Sequence, residues 1–362
     1  MLTPYDDYLI HQTVDTLDHA ATGDPRFQDR GLFNVHSKSG EFLIQLGFGV
    51  YPNQNMIDGW ICGIHADQQH NLRAARPLDH DRSDLNIGPI KIEVLKPMSE
   101  WRIKVDDTEH GIQCDLTFHS RTPAYEFRPV FIRRNNSVDH HQIHVMQSGT
   151  YSGWVRIGDY VTEGEFSGSR DRSWGMRGPQ ANEVIDMKTH LPVTDSNAST
   201  EPAPQGRTSR AWIAAEFDKY ALHGWFWTDG SGNALIADGA VIEVADGTTR
   251  STFNRWSLPE VIQDSRGLPE SLDMTLFDER GVGTSLHARP LISRCPDGNG
   301  YFKGFYGRKR SNLHVEGENW DMSQPAFRKE FGYMNGPMLA EFRYGEDVGY
   351  GILITALLTR DE

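Results

Sequence analysis

Short runs of alternating apolar and polar residues, bounded by turn residues, repeat along almost the whole chain. Alternation with a period of two places side chains on opposite faces of a strand, and so predicts half-buried β-strands. Representative runs are EFLIQLGFGV (41–50), WRIKVD (101–106), IQCDLTFHS (112–120), AWIAAEFD (211–218) and SLDMTLFD (271–278). Asp-Gly pairs, which favour tight hairpin turns, fall between several later runs. The pattern predicts an all-β chain of about twenty short strands, built as sandwiches or barrels.

Two segments depart from this alternation. Tyr5, Tyr8, Leu9 and Leu17 fall on one face of a helical period, which predicts one amphipathic helix over residues 5–19. Residues 178–210 are rich in Pro, Ser, Thr and Asn and lack periodicity, which predicts a long loop of the kind that covers a site. We place the domain boundary before this loop, with an N-terminal β domain over 1–165 and a C-terminal β domain over 166–362 that carries loop 178–210.

Composition narrows the class of partner. A length of 362 residues allows two domains, each with its own core. The 36 Lys and Arg against 50 Asp and Glu give a net charge of −14, which argues against nucleic acid or an anionic membrane surface as the partner. A homodimer stays open as the assembly.

The location is predicted from cysteines and targeting signals. The three cysteines, Cys62, Cys114 and Cys295, are far apart and outside any CxxC pattern, which is typical of buried thiols in a reducing compartment. The first residues show no basic stretch followed by an apolar one, so no signal peptide is predicted. The longest apolar stretch, residues 350–358, is too short for a membrane span. We expect a cytoplasmic protein.

Several catalytic motifs are missing from the sequence. It has no GxxxxGK[ST], no GxGxxG between a strand and a helix, no GxSxG, no HExxH and no HxE followed by PCxxC. The run DHHQIH (139–144) invites a metal reading, but His140 and His144 would stand about 13 Å apart on one strand face, too far for two ligands of one zinc. We therefore predict no metal and no cofactor.

The most distinctive stretch is GSRDRSWGMRG (168–178), which contains the pattern DxxWG. Two further pieces are RPL (76–78) running on through GPI (88–90), and YPN (51–53) followed by DGW (58–60). With the all-β pattern, these resemble the tandem lipocalin-like superfamily of carotenoid hydratases (hydroxyneurosporene synthase), AttH-like proteins and kievitone hydratase, and look like a bacterial branch of it. The resemblance implies two tandem lipocalin-like β-barrel or sandwich domains with very little helix.

Two readings of the DxxWG segment stay open. In the first, Asp171 joins the domains through bidentate contacts with Arg170, Arg172 and Arg177, with Trp174 packed beneath this charge-paired knot. In the second, Asp171 is an acid at the mouth of an apolar cavity. Burial beside Trp174 would raise the pKa of Asp171, whereas close arginines would lower it.

The resemblance implies a cofactor-independent hydratase or dehydratase, isomerase or cyclase that acts on a hydrophobic isoprenoid-, steroid- or polyketide-like molecule in an apolar cavity. For alkene hydration, an acid protonates the double bond and aromatic faces stabilise the resulting cation. Asp171 and Asp58 are the predicted catalytic acids, ahead of Asp159, Glu163 and Glu165. The predicted substrate-binding residues are Tyr51, Trp60, Trp154, Tyr160, Trp174, Arg177, Trp225 and Trp227. The alternative is a non-catalytic binder or carrier of such a molecule; a scaffold for another protein is the weakest reading.

Overall fold

The fold is described by a computed structural model that is almost entirely β-strand. It describes residues 2, 4–134, 136–177, 184–185, 192–193, 209–229, 232–257, 259–263, 269–295, 307, 309–324 and 337–357. Helical structure in these ranges is limited to two 3-10 turns, Pro4–Asp7 and Pro52–Gln54. The predicted all-β lipocalin-like class is confirmed.

The strands are numbered in chain order. The first eleven are β1 (Phe27–His36), β2 (Phe42–Tyr51), β3 (Met56–His65), β4 (Gln68–Pro77), β5 (Ile90–Lys96), β6 (Glu100–Asp107), β7 (Ile112–Ser120), β8 (Tyr125–Glu126), β9 (Val130–Arg134), β10 (Ser137–Ile157) and β11 (Tyr160–Met176). The others are β12 (Val184–Ile185), β13 (Pro192–Val193), β14 (Ser209–Glu216), β15 (Tyr220–Thr228), β16 (Ala234–Glu243), β17 (Thr249–Trp256), β18 (Glu260–Gln263), β19 (Pro269–Asp278), β20 (Gly283–Ser293), β21 (His314–Asp321), β22 (Pro337–Tyr344) and β23 (Asp347–Leu357).

The predicted helix over residues 5–19 is wrong. Only the 3-10 turn Pro4–Asp7 forms there, followed by bends and turns. Leu9 and Val14 are fully exposed, so the apolar positions have no surface against which to pack. A short helix without tertiary packing is marginal in water, which explains why the helical period alone does not produce one.

The larger sheet has twelve strands, in the order β21-β4-β3-β2-β1-β11-β10-β7-β6-β5, with β8 and β9 also pairing with β10. One face of this sheet buries a continuous core that includes Phe33, Phe48, Trp101 and Phe118. Every neighbouring pair in the sheet is antiparallel, so alternate residues of each strand face this core and the rest face away from it.

The smaller sheet closes into a barrel of eight strands. Its order is β17-β16-β15-β14-β23-β22-β20-β19, the ring is closed by the β17–β19 pairing, and β18 is attached to β19. The interior of the barrel is filled by a second core that includes Phe226, Phe253, Leu276 and Phe342. Apolar side chains of the described strands therefore pack in this interior.

A third apolar cluster lies between the two sheets. It joins Leu43, Trp60 and Met146 of the larger sheet to Trp212 and Trp225 of the barrel. Because strand residues alternate between faces, the side chains on one face of each sheet pack into its own core, and those on the other face contribute to the cluster between the sheets. The space between the sheets is thus where both halves of the chain contribute side chains.

Chain order and sheet membership do not coincide. Position 165/166, where the sequence analysis places the boundary, lies inside β11, and β21 pairs with β4 of the larger sheet. The division into 1–165 and 166–362 stays a prediction. Most of the predicted loop 178–210 lies outside the described residues; within it, β12 pairs with β13, and β14 begins at Ser209.

An ion-pair network holds β21 on β4. Arg73 Nε donates to Glu316 Oε1 at 3.1 Å, and the Arg73 guanidinium also donates to both carboxylate oxygens of Glu318. The Arg73 side chain is 9% exposed, so water screens these bonds little. The network thus fixes a strand from the second half of the chain to the larger sheet.

We predict that Arg73→Ala loosens β21 selectively. The free energy of unfolding should fall by about 1–3 kcal/mol, because two carboxylates lose a largely buried partner. Amide hydrogen exchange over residues 314–321 should speed up more than exchange in the barrel. Arg102→Ala is the matched control, since it breaks an exposed bidentate pair with Asp115 and should cost less than about 1 kcal/mol. Unchanged exchange in β21 would contradict this role of Arg73.

Candidate functional site

A cavity of about 240 Å³ lies between the two sheets, beside the third apolar cluster. Strands of both sheets contribute to its wall. Among the described residues, the lining combines aromatic, cationic and neutral polar side chains with one carboxylate. The lining residues are Arg30, Gly31, Leu32, Gln45, Trp60, Gln142, His144, Asp171, Ser173, Arg177, Arg210, Trp212, Trp225, Arg294, Pro337 and Ile354. The lining of this cavity is less apolar than the sequence analysis predicts, because four of these residues are arginines.

Strand register builds the wall on the larger sheet. Asp171 of β11 lies opposite Leu32 of β1, and Ser173 lies opposite both Arg30 of β1 and His144 of β10. Residues directly opposite each other in an antiparallel pair share a face. Three strands that are distant in sequence therefore present these side chains to one space.

A glycine makes room for the aromatic part of this wall. Gly47 lies opposite Leu32 on one side and opposite Trp60 on the other. A Cβ atom at Gly47 would lie 2.6 Å from Trp60 Nε1, so only glycine lets the indole lie across β2. The Arg294 guanidinium lies over the Trp60 ring, with its central carbon 5.1 Å from the ring centre.

His144 links the two sheets across the cavity wall. The Trp212 indole Nε1–H of the barrel donates to His144 Nε2 at 3.0 Å, and the Trp225 ring lies 4.9 Å from the imidazole. Burial holds the pKa of His144 well below its ordinary value, and the charges of Arg177 and Arg210 lower it further. The imidazole is therefore neutral, with its proton on Nδ1, because Nε2 is the acceptor.

Asp171 is the acidic group of the cavity. Burial raises the pKa of Asp171 from 3.8 to about 7, although Arg177 first, and then Arg30, favour the charged form. Within the described parts of the chain, the carboxyl has no hydrogen bond or ion pair, and it keeps partial exposure through the cavity. A carboxyl with a pKa near neutrality is present in both protonation states, so it can give or accept a proton.

Asp58 is placed differently from Asp171. Burial raises the pKa of Asp58 to about 7 as well, but Tyr51 Oη donates to Oδ1 at 3.1 Å and the Gly307 N–H donates to Oδ2 at 2.8 Å. Both oxygens thus have partners, and Asp58 is absent from the cavity lining. Three strand spacings, about 14 Å, separate β3 from β11. A catalytic role of Asp58 stays a prediction.

The charge-paired knot around Asp171 is not formed. Arg170 and Arg172 alternate with Asp171 along β11, so they point to the opposite face. Arg170 donates to Gln147 Oε1 at 2.9 Å, and Arg172 pairs with Asp29. Both guanidinium groups lie over the Trp101 ring in the core of the larger sheet. Of the three predicted arginine partners, only Arg177 lines the cavity with Asp171.

The predicted substrate-binding residues divide into two groups. Trp60, Arg177 and Trp225 line the cavity, whereas Tyr51 donates a hydrogen bond to Asp58 and is not among the lining residues. Trp227 lies opposite Arg210, which lines the cavity, and the centre of its ring is 6.0 Å from that of His140.

The other predicted binding residues lie elsewhere. Trp154 is ten residues beyond His144 on β10, roughly 33 Å along the strand, and pairs with Glu163. Tyr160 stacks on His65 at 3.9 Å, and Trp174 is 38% exposed on the face opposite Asp171. The further candidate acids, Asp159, Glu163 and Glu165, are all exposed.

Sequence reasoning missed most of the polar wall: Arg30, Gln45, Gln142, Ser173, Arg210, Trp212 and Arg294. The signal available in sequence was alternation within a strand, which shows that two residues share a face but not what lies opposite. His144 was noted within a histidine run and given no role.

Three further kinds of feature can mark a functional site: metal-binding clusters, membrane-spanning helices and a second depression. Within the described ranges, no group of three or more His, Cys, Asp or Glu side chains is arranged to hold a metal ion. The same residues include no helix long and apolar enough to span a membrane. A larger depression, of about 520 Å³, is lined by Tyr5, Lys91, Glu93 and other residues near β5 and β6.

The chain belongs to a family of unknown function, DUF8625, whose model matches residues 2–361. No curated protein matches it in sequence. A solved structure assigned as AttH, from Nitrosomonas europaea, is similar over 93% of this chain and 94% of its own, with 12% identity and a TM-score of 0.56. The solved structure of CghA is similar over 93% of this chain and 90% of its own, with 13% identity and a TM-score of 0.50.

Kievitone hydratase from Nectria haematococca covers 96% of this chain and 94% of its own, with 11% identity and a TM-score of 0.49. At such identities the likeness shows a shared fold alone. The resemblance to this superfamily, drawn from the sequence around residues 168–178, is confirmed at that level.

The raised pKa of Asp171 predicts a pH-dependent stability. Between pH 3.8 and about 7, the folded protein keeps a proton that the unfolded chain has released, so the free energy of unfolding falls as pH rises. Asp171→Asn should remove about 2 kcal/mol of this fall, an amount discounted for the partial exposure of the carboxyl. Urea unfolding of both proteins across this pH range measures the difference.

Asp115→Asn is the control for this measurement. The hydrogen bonds from Arg102 lower the pKa of Asp115, so this variant should not flatten the fall in stability. Asp58 and Glu216 also have pKa values raised to about 7, so the Asp171→Asn protein should keep part of the slope. Identical slopes in the wild type and Asp171→Asn would show that the arginines outweigh burial.

Proposed function

We propose that the protein is a cofactor-independent enzyme of acid–base chemistry, with Asp171 as the group that moves the proton. The reaction classes are hydration or dehydration, isomerisation and cyclisation of a small molecule with an isoprenoid-, steroid- or polyketide-like body. One observation carries the proposal: a carboxyl with a pKa of about 7 and no protein partner among the described residues lines a cavity between two sheets.

The charge of the wall selects among these reactions. Arg30, Arg177, Arg210 and Arg294 line the same cavity, and four guanidinium groups disfavour a carbocation. The same groups favour negative charge that develops on oxygen, as in an enolate. Proton transfer at a carbon next to a carbonyl therefore fits the cavity better than protonation of an isolated alkene, although the aromatic faces of Trp60, Trp212 and Trp225 suit either substrate.

For hydration of a conjugated carbonyl compound, the steps balance without another reactant. Ionised Asp171 takes a proton from water while the water oxygen adds to the β-carbon. The electron pair of the carbon–carbon double bond shifts toward the carbonyl carbon, and the π pair of the carbonyl moves onto its oxygen, which gives an enolate. The positive charge of the guanidinium groups in the cavity wall favours negative charge on that oxygen. Protonated Asp171 then gives its proton to the α-carbon, which restores the carboxylate. Dehydration is the reverse sequence.

A non-catalytic carrier is the competing reading. Binding alone gives no reason to bury an unpartnered carboxyl, since desolvation of an ionisable group costs stability. Asp171 therefore favours the enzyme. The fold neighbours support this choice only through a shared architecture, because their sequence identity to the chain is 12% and 13%.

The test begins with native mass spectrometry of the protein purified from its host, which identifies bound compounds. Each compound is then incubated with the protein in deuterated water. We predict gain of deuterium at a carbon next to a carbonyl, with or without net addition of water, and a loss of about 10²–10⁴-fold in rate for Asp171→Asn. Asp115→Asn, on the outer surface, should keep the wild-type rate.

Two results would overturn the proposal. A full rate in Asp171→Asn would remove the acid–base role from this residue. Compounds that bind the protein and are returned without deuterium or chemical change would instead establish the carrier.

A further inference from the structure

The buried atoms on the cavity wall that have no hydrogen-bond partner within the described chain include three nitrogens and the acceptor Gln45 Oε1. The nitrogens are His144 Nδ1, Trp225 Nε1 and Gln142 Nε2, in residues that are only 5%, 4% and 2% exposed. A buried polar group without a partner costs about 1–3 kcal/mol, so such atoms in a cavity point to a ligand or to water that satisfies them.

All three nitrogens are donors. The Trp212 N–H occupies His144 Nε2, so the neutral imidazole carries its proton on Nδ1. The indole nitrogen of Trp225 can only donate. Arg177 Nε donates to Gln142 Oε1 at 3.2 Å, which assigns this atom as the oxygen and leaves the amide NH₂ facing away from that bond. The missing partners of these three nitrogens are therefore acceptors, whereas Gln45 Oε1 lacks a donor.

Two cations line the cavity with these donors. Arg177 and Arg210 both lie within electrostatic reach of His144, since each lowers the pKa of its imidazole. We call His144, Trp225, Gln142, Arg177 and Arg210 the donor corner. Asp171 is the one carboxylate among the described lining residues, and the charge of Arg177 lowers its pKa more than that of any other arginine. The corner thus combines neutral N–H donors with guanidinium groups, the set that binds oxyanions.

We propose that the donor corner binds the carboxylate of an amphipathic organic acid, whose apolar body lies against the indole rings of Trp60 and Trp212. This inference names the ligand class for the cavity of the proposed function and rests on it for the statement that the ligand is a substrate. It adds a fixed negative charge to the hydrophobic molecule expected from sequence. The carboxylate would sit apart from the carbon atoms that exchange a proton with Asp171.

The test compares two probes of equal shape, 2-naphthoate and its neutral amide, 2-naphthamide. Isothermal titration calorimetry at neutral pH should give an affinity for 2-naphthoate at least about tenfold higher than for 2-naphthamide. The indole N–H resonance of Trp225 should shift on addition of 2-naphthoate, which locates the probe. Equal affinities of the two probes would overturn the proposal.

Arg210→Gln should weaken 2-naphthoate by about tenfold and leave 2-naphthamide nearly unchanged. Arg255→Gln is the matched control: it removes the same charge from an exposed arginine of the barrel that stacks on Phe277, outside the cavity lining. Arg177→Gln serves as the second variant, should Arg210→Gln fail to fold. An equal loss in Arg255→Gln would mean that net charge, rather than the donor corner, attracts the probe.

Inorganic phosphate is the third arm. Displacement of 2-naphthoate only at much higher phosphate concentration supports an amphipathic acid, whereas phosphate affinity equal to that of 2-naphthoate would make this a site for a free anion and overturn the proposal. Asp171→Asn should bind 2-naphthoate at least as tightly as wild type, since one repelling carboxylate is lost. Selective binding of 2-naphthoate in a protein that turns over no compound would count against the proposed function alone. Turnover of neutral compounds, together with equal affinities for 2-naphthoate and 2-naphthamide, would count against this inference alone.

Discussion

The desolvation of one carboxyl between two sheets is the constraint on which the account of this protein depends. Asp171 is enclosed where the larger sheet meets the barrel, and burial raises its pKa to about 7 against the pull of nearby arginines. If those arginines paired with it directly, as the sequence suggested, the group would be a permanent anion. Alternation along β11 prevents this for Arg170 and Arg172, because it turns both guanidinium groups to the other face.

The location of the cavity follows from which face of each sheet packs into its own core. Each sheet fills one face with its own core, so the space for a ligand arises at their junction rather than inside a barrel. Trp212 and His144 hydrogen-bond across this junction, and β21 returns from the second half of the chain to pair with β4. The site therefore requires both sheets, and a fragment with only one of them would lack half of the wall.

Much of the fold was readable from sequence, because alternation in runs such as residues 101–106 and 112–120 is a local signal. Asp171, Trp60, Arg177 and Trp225 were also found, through a short motif and aromatic positions. Arg30 and Arg210 were not. Long-range strand register places Arg30 beside the strand of Asp171, packing of the barrel on the larger sheet brings Arg210 to the same cavity, and neither can be predicted from one strand alone. The helix over residues 5–19 failed for the opposite reason: the local period was present and the packing surface was not.

Carboxyl ¹³C NMR of protein labelled at aspartate tests the central claim most directly. The Asp171 resonance, assigned by its loss in Asp171→Asn, should titrate with a pKa of about 7. Titration near the ordinary value of 3.8 would show that the arginines outweigh burial and keep Asp171 ionised. That result would contradict its role as a proton donor in this cavity.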